Sequence, residues 1–293
     1  AKPAAPAPRA APDRAAELVK QLGSDDFATR EAAENALRAL GTKAEPALRA
    51  GAKSEDPEVR ARCTKLLGAV RKDALAELAR TFDAEGDAPS AHPIWKRFAD
   101  TAGNTPASRL MFARMLKRSE WLARLDAAET APAEAGRQYR DALREVSERA
   151  RADLTFGFVI YVWPCDTADE VAFLLFLGSY PGTDGPHPHA PEFPSLADSE
   201  ARVTYARGLK LALEGKEIVP GANRKYEETA ALPEGSGKAF AKLLAAWLPR
   251  RAEPAPLFHG FELALASGAA DVLPAARTIA TDTERPVASR LAA

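Results

Sequence analysis

The chain of 293 residues carries 40 Lys and Arg against 41 Asp and Glu, a formal net charge of −1, so no overall field draws it to nucleic acid or anionic lipid. A hydrophobic fraction of 46% supplies enough apolar mass for a large core. Its two cysteines, Cys63 and Cys165, lie far apart and outside any metal-like or redox-like spacing; they exclude a disulfide framework and read as small core residues.

The first twelve residues, opening Ala1-Lys2-Pro3-Ala4-Ala5-Pro6-Ala7-Pro8, form no helix and read as a flexible Ala/Pro-rich tether. Such a start without Met fits a secreted or periplasmic chain whose signal has been removed, and equally a trimmed one. Asp13 is placed to cap a first helix with Leu18, Val19 and Leu22 on one face and Gly23 as its stop. A second helix presents Ala33, Ala36, Leu37 and Leu40 and ends at Gly41. Thr42-Lys43-Ala44-Glu45 has the form of a capping box, with Pro46 in the turn that follows. Asp56-Pro57 then supplies an N-cap carboxylate and a first-turn proline, and Val59, Cys63, Leu66, Leu67 and Val70 form one apolar stripe.

One stretch occurs twice. Ser24-Asp25-Asp26-Phe27-Ala28-Thr29-Arg30 returns thirty positions later as Ser54-Glu55-Asp56-Pro57-Glu58-Val59-Arg60, each copy opening an Ala- and Leu-rich helix. Helical units of this length cannot bury their apolar faces alone and stack on their neighbours.

The middle predicts helices of less regular pattern. One begins at Thr105-Pro106 and carries Leu110, Met111, Met115, Leu122 and Leu125; another follows Pro132 with Tyr139, Leu143, Val146, Ala150 and Leu154 at helical steps. Leu154 to Trp163 is shorter than the ~20 residues of a membrane span and is stopped by Pro164. Phe156 to Trp163 would suit a strand, but with no second strand-like run a buried helix is expected. Thr167-Ala168-Asp169-Glu170 is a second capping box, followed by Val171, Leu174 and Leu175. Ser179 to Pro194 is a long Pro/Gly-rich loop. Phe240, Leu243, Leu244, Trp247 and Leu248 form a last central stripe, and Arg250 to Pro256 reads as a linker.

At the far end Pro274 and Pro286 open two helices twelve residues apart, as Pro46 and Pro57 do at eleven, and Thr281-Asp282-Thr283 offers caps between them. Leu291 is still on the apolar pattern, so this helix is expected to be incomplete and the native chain to continue.

With Asp26/Arg30 and Asp56/Arg60 in view, residues 13–70 and 257–293 resemble HEAT-like repeats of the bacterial kind, in which Asp-Pro-x-Val-Arg opens a repeat helix. The resemblance implies an all-α fold, an α-solenoid of antiparallel helix pairs, in which Asp26, Arg30, Asp56 and Arg60 form a ladder between adjacent repeats. The expected organisation is HEAT-like repeats over 13–82, a degenerate helical region over 90–249 containing the loop 179–194, and a C-terminal hairpin over 257–293. Members of such families serve as scaffolds and adaptors and seldom as enzymes.

For chemistry, His187, His189 and Asp184 are the one grouping that suggests a metal, but it lacks a further ligand and reads first as a solvated loop. His92 and His259 are isolated and read as packing or capping residues. Asp25/Asp26 and Glu227/Glu228 read as cap and solvated face rather than acid/base pairs. Gly235-Ser236-Gly237-Lys238 lacks the upstream glycine of a phosphate loop, leaving Ser236 as a helix cap. Arg137, Arg140, Arg144, Arg149 and Arg151 share their helix with Asp141, Glu145 and Glu148, which neutralise them. Trp95, Trp121 and Tyr139 could stack bases if exposed, but at helical spacing they belong to the core. The expectation is a non-enzymatic protein–protein interaction scaffold or adaptor without a cofactor, whose partner is another protein. The alternatives are an enzyme or ligand binder with its site between the central helices and loop 179–194, and a nucleic-acid-binding HEAT-like protein.

Overall fold

A computed structural model describes residues 11–86, 90–154, 167–183, 207–219 and 228–293, and these are mostly helical. The chain divides into two compact units, Ala1–Thr81 and Phe82–Ala293.

The first unit holds α1 (Ala11–Gln21), α2 (Phe27–Leu40), α3 (Glu45–Gly51) and α4 (Pro57–Thr81). Ala15, Leu22, Ala33, Leu37, Leu48, Val59, Cys63 and Leu66 close one core, to which the predicted stripes contribute their inner faces. At Gly51 a β-carbon would stand 2.5 Å from the Cys63 sulfur and 2.8 Å from Val19 Cγ1, so the missing side chain is what lets these helices approach.

The two copies of the repeated stretch fold alike. Asp26 caps α2 by accepting from the Thr29 amide (2.8 Å), and Asp56 caps α4 by accepting from the Glu58 amide (2.8 Å). Arg30 Nη1 donates to the carbonyls of Ser24 (2.6 Å) and Asp25 (2.9 Å); Arg60 Nη1 donates to those of Ser54 (2.6 Å) and Glu55 (3.4 Å). Each arginine therefore reaches back from the first turn of its helix and closes the loop that precedes it. The ladder residues Asp26, Arg30, Asp56 and Arg60 make these bonds inside their own copies.

Two local expectations are corrected here. Asp13 lies inside the first turn of α1, which already begins at Ala11. Thr42-Lys43-Ala44-Glu45 forms no capping box: Gly41–Ala44 winds as a 3-10 turn straight into α3, and Ala44 (φ −81°, ψ −15°) never takes the extended backbone that an N-cap needs. Glu45 pairs instead with Arg49 (2.8 Å).

The second unit contains α5 (Pro93–Ala102), α6 (Pro106–Leu116), α7 (Ser119–Ala128), α8 (Pro132–Leu154), α9 (Ala168–Gly178), α10 (Arg207–Leu213), the strands β1 (Lys216–Val219) and β2 (Glu228–Ala231), α11 (Ser236–Trp247), α12 (Pro254–Ala266), α13 (Leu273–Thr281) and α14 (Val287–Leu291). Its centre is α9, buried at Ala168 and continuously from Glu170 to Gly178. A helix apolar on all sides must be covered on all sides, and α6, α7, α8, α10 and α11 pack around it. Thr167 caps it by accepting from the Glu170 amide (3.3 Å), as its sequence implies.

Four departures from expectation concern long-range structure. The helix expected from Thr105 through Leu125 is two, because Arg118 (φ −105°, ψ 95°) is extended and starts α7 afresh. The chain also contains a β-hairpin, Lys216 pairing with Ala231 and Val219 with Glu228, which an all-α expectation omits; its strands are four residues each and carry few β-branched side chains. Ser236 is the first helical residue of α11, and Gly235 (φ 87°) occupies the cap position. Arg250 to Pro256 is no linker: Arg251 is 1% exposed and lies between the rings of Tyr139 and Trp247, 4.7 Å from each centroid. Its Nη2 donates to the carbonyls of Gly178 (2.9 Å) and Thr183 (3.3 Å). The stretch Phe156 to Trp163 lies outside the described residues.

Candidate functional site

A groove runs along α6 in the second unit. Thr105 and Ser108 form a reciprocal capping box at its head, each side chain accepting from the other's amide (3.2 and 2.8 Å). One turn on, Arg109 is buried, with Nε on the Ala84 carbonyl (2.9 Å) and Nη1 on Asn104 Oδ1 (3.2 Å). The arginine thereby clips the segment around Ala84 and Glu85 alongside the helix. On the opposite side Leu232 is tied to the hairpin through its amide on the Gly215 carbonyl (2.8 Å), and the left-handed Gly235 turns the chain into α11.

Between these walls lie Ala107, Leu110 and Pro233, with Glu85 and Glu234 on the rims. Leu110 is 40% exposed, and both glutamates are exposed, with no ion pair to either among the described residues. A second, much smaller depression shares Ala107, Leu110 and Pro233 with the groove and is lined further along α6 by Met111, Phe240, Arg114 and Asp169. From Pro106 to Arg114 the helix rises about 12 Å, the run of three or four extended residues.

Arg114 and Asp169 belong to a charge cluster. Arg114 Nε meets Asp169 Oδ1 at 2.7 Å, and its Nη1 donates to Glu217 Oε1 at 3.2 Å, which fastens β1 to α6. The Glu217 bond, with help from Asp169, raises the Arg114 pKa. Burial lifts the Asp169 carboxyl above its usual range, against the pull of Arg114.

A second cluster stands at the end of α9; of the expected loop 179–194, residues 184–194 lie outside the described residues. Tyr180 donates to Glu129 Oε1 (2.8 Å), which also accepts from Arg97 Nε (2.6 Å), and the Arg97 guanidinium lies 4.6 Å from the Tyr180 ring centroid. Burial, then the Glu129 charge, pushes the Tyr180 phenol well above its ordinary range. Thr183 Oγ1 donates to the Gly178 carbonyl (2.6 Å), so the described start of the loop, Ser179 to Thr183, is pinned to the end of α9.

Of the residues singled out in the sequence, His187, His189 and Asp184 lie outside the described residues, among which no group of three or more His, Cys, Asp or Glu could hold a metal. His92 caps α5, its Nδ1 accepting from the Ile94 amide (3.3 Å). His259 sits on Phe258 and beside Glu262 (3.5 Å). Trp95 and Tyr139 are buried; Trp121 stacks on Phe173 at 4.8 Å and 8°. Arg137 pairs with Glu134 and Arg144 with Asp141 (2.5 and 3.2 Å), one turn of α8 apart. The apolar pattern of the sequence includes Leu110, and nothing in that pattern marks Glu85 or Glu234. The Pro233-Glu234-Gly235 turn was the one local signal that could have marked this edge.

Further apolar side chains stand outward near the C-terminus: Phe258 and Leu265 one face apart by two turns on α12, Leu273 on α13, and Val287 and Leu291 on α14. Among the described residues no helix is long and apolar enough to cross a membrane. No family model, curated protein or solved structure matches this chain.

Proposed function

We propose that this protein is a non-enzymatic helical scaffold or adaptor built on HEAT-like repeats, and that it binds another protein through the α6 groove. The observation that carries the proposal is Leu110, a large apolar side chain left 40% exposed on the floor of an open depression whose walls are tied in place by Arg109 and by the hairpin. An apolar floor with polar rims is the anatomy of a docking surface. The HEAT-like assignment is supported by the identical loop closures of Arg30 and Arg60 and by the thirty-residue recurrence. The outward stripes of α12 and α14 offer additional apolar area of the same kind.

A photo-crosslinking amino acid at position 110, introduced in the producing cell, tests the proposal. Adducts with defined proteins are expected at 110 and absent at the exposed Lys65. Identical adduct patterns at both positions, or none at 110, would refute it.

A further inference from the structure

Accepting the groove as a protein-docking surface, the charge pattern of its lining specifies the occupant, and we infer that this is a segment carrying a large apolar side chain flanked by Lys or Arg. Two exposed carboxylates, Glu85 and Glu234, line the groove. Neither is neutralised among the described residues. The cation that lines the groove and the one in the smaller depression beside it are already engaged. Arg109 is buried and turned inward to Ala84 and Asn104, and Arg114 is held between Asp169 and Glu217. An acidic segment would meet like charge at the rim and no available cation inside. Lysine and arginine suit both parts of the site: their methylene stems can lie on Leu110 and Pro233 while the charged head sits between the glutamates. The floor takes the neighbouring apolar side chain, with Ala107 small enough to leave it room.

The test is selection of a displayed library of random short peptides on the full chain, followed by affinity measurement with synthetic copies of the enriched sequences. Basic–apolar peptides are expected to enrich and to weaken as salt is raised. Leu110→Glu should abolish their binding, and Leu110→Ser should reduce it in the same direction. The double change Glu85→Gln with Glu234→Gln, which touches no packed side chain, should weaken it about fivefold, the combined effect of two exposed ion pairs. Leu110-dependent peptides that are acidic or uncharged, or that ignore the glutamine pair, would overturn the inference and leave the docking groove standing. A selection yielding no Leu110-dependent peptide would overturn both.

Discussion

Replacing Arg251 by alanine is expected to unfold the second unit more easily by about 3 kcal/mol. The side chain is 1% exposed and touches two ring faces at 4.7 Å each, contacts worth about 2 kcal/mol apiece when desolvated, of which the cost of burying the guanidinium takes back roughly half. Its charge-assisted bonds to Gly178 and Thr183 add roughly 1–2 kcal/mol net, because both carbonyls stay buried when the donor is gone. Urea unfolding followed by tryptophan fluorescence isolates the relevant unit, since all four tryptophans (95, 121, 163 and 247) fall after Thr81 and Trp247 is itself a contact. With a slope of about 2 kcal/mol per molar urea, the midpoint should drop by about 1.5 M. Arg251→Lys keeps the charge but loses the planar fork and ring stacking, and should fall about halfway. A midpoint for Arg251→Ala indistinguishable from the parent's would show that this residue is no anchor and would restore Arg250 to Pro256 as a linker.

Arg60→Ala, and likewise Arg30→Ala, should cost about 1 kcal/mol each in urea unfolding followed by far-ultraviolet circular dichroism, and the double variant should show the sum, because the two clamps share no partner. Gly51→Ala should destabilise the first unit by about 2 kcal/mol in the same assay, and Cys63→Ala, which removes the sulfur 2.5 Å from the new carbon, should relieve about half of that. The Tyr180 phenol is held above its unfolded value of about 10, so its stabilising effect is whole below that pH and lost as pH rises through the folded value. In an alkaline titration followed by phenolate absorbance, Tyr180 should therefore ionise late and together with unfolding, a step that Tyr180→Phe diminishes.

The features that sequence rendered well are those set by neighbours within a turn or two. Asp26 and Asp56 cap the helices they precede, Thr167 caps α9, and Thr105 starts α6, because a cap needs only its own next few amides. Where a local pattern failed, another local rule had intervened: Thr42 and Glu45 have the right spacing, but the 3-10 turn runs into α3 with Ala44 in the helical region, which leaves no capping geometry. Arg251 was illegible for a different reason. Its partners, Tyr139, Gly178, Thr183 and Trp247, come from three separate stretches of chain, and nothing in Arg250-Arg251 distinguishes the inward residue from the outward one.

The groove was hidden by the same kind of ambiguity. Periodicity places Leu110 and Met111 on α6 but does not say which of them a neighbour covers; Met111 is 6% exposed and Leu110 40%. The hairpin beside it has strands of four residues whose pairing is fixed by position against α10 and, through Glu217 on Arg114, against α6, more than by their own composition.

That Arg30 and Arg60 spend their donors on carbonyls only five and six positions upstream has a consequence for how such a chain can grow. A thirty-residue cassette cut ahead of Ser24 and again ahead of Ser54 takes its own clasp with it. Splicing in another copy, or excising one, leaves neither Arg30 nor Arg60 parted from the carbonyls it clasps, while outer ion pairs such as Arg71 with Glu45 would cross the cut.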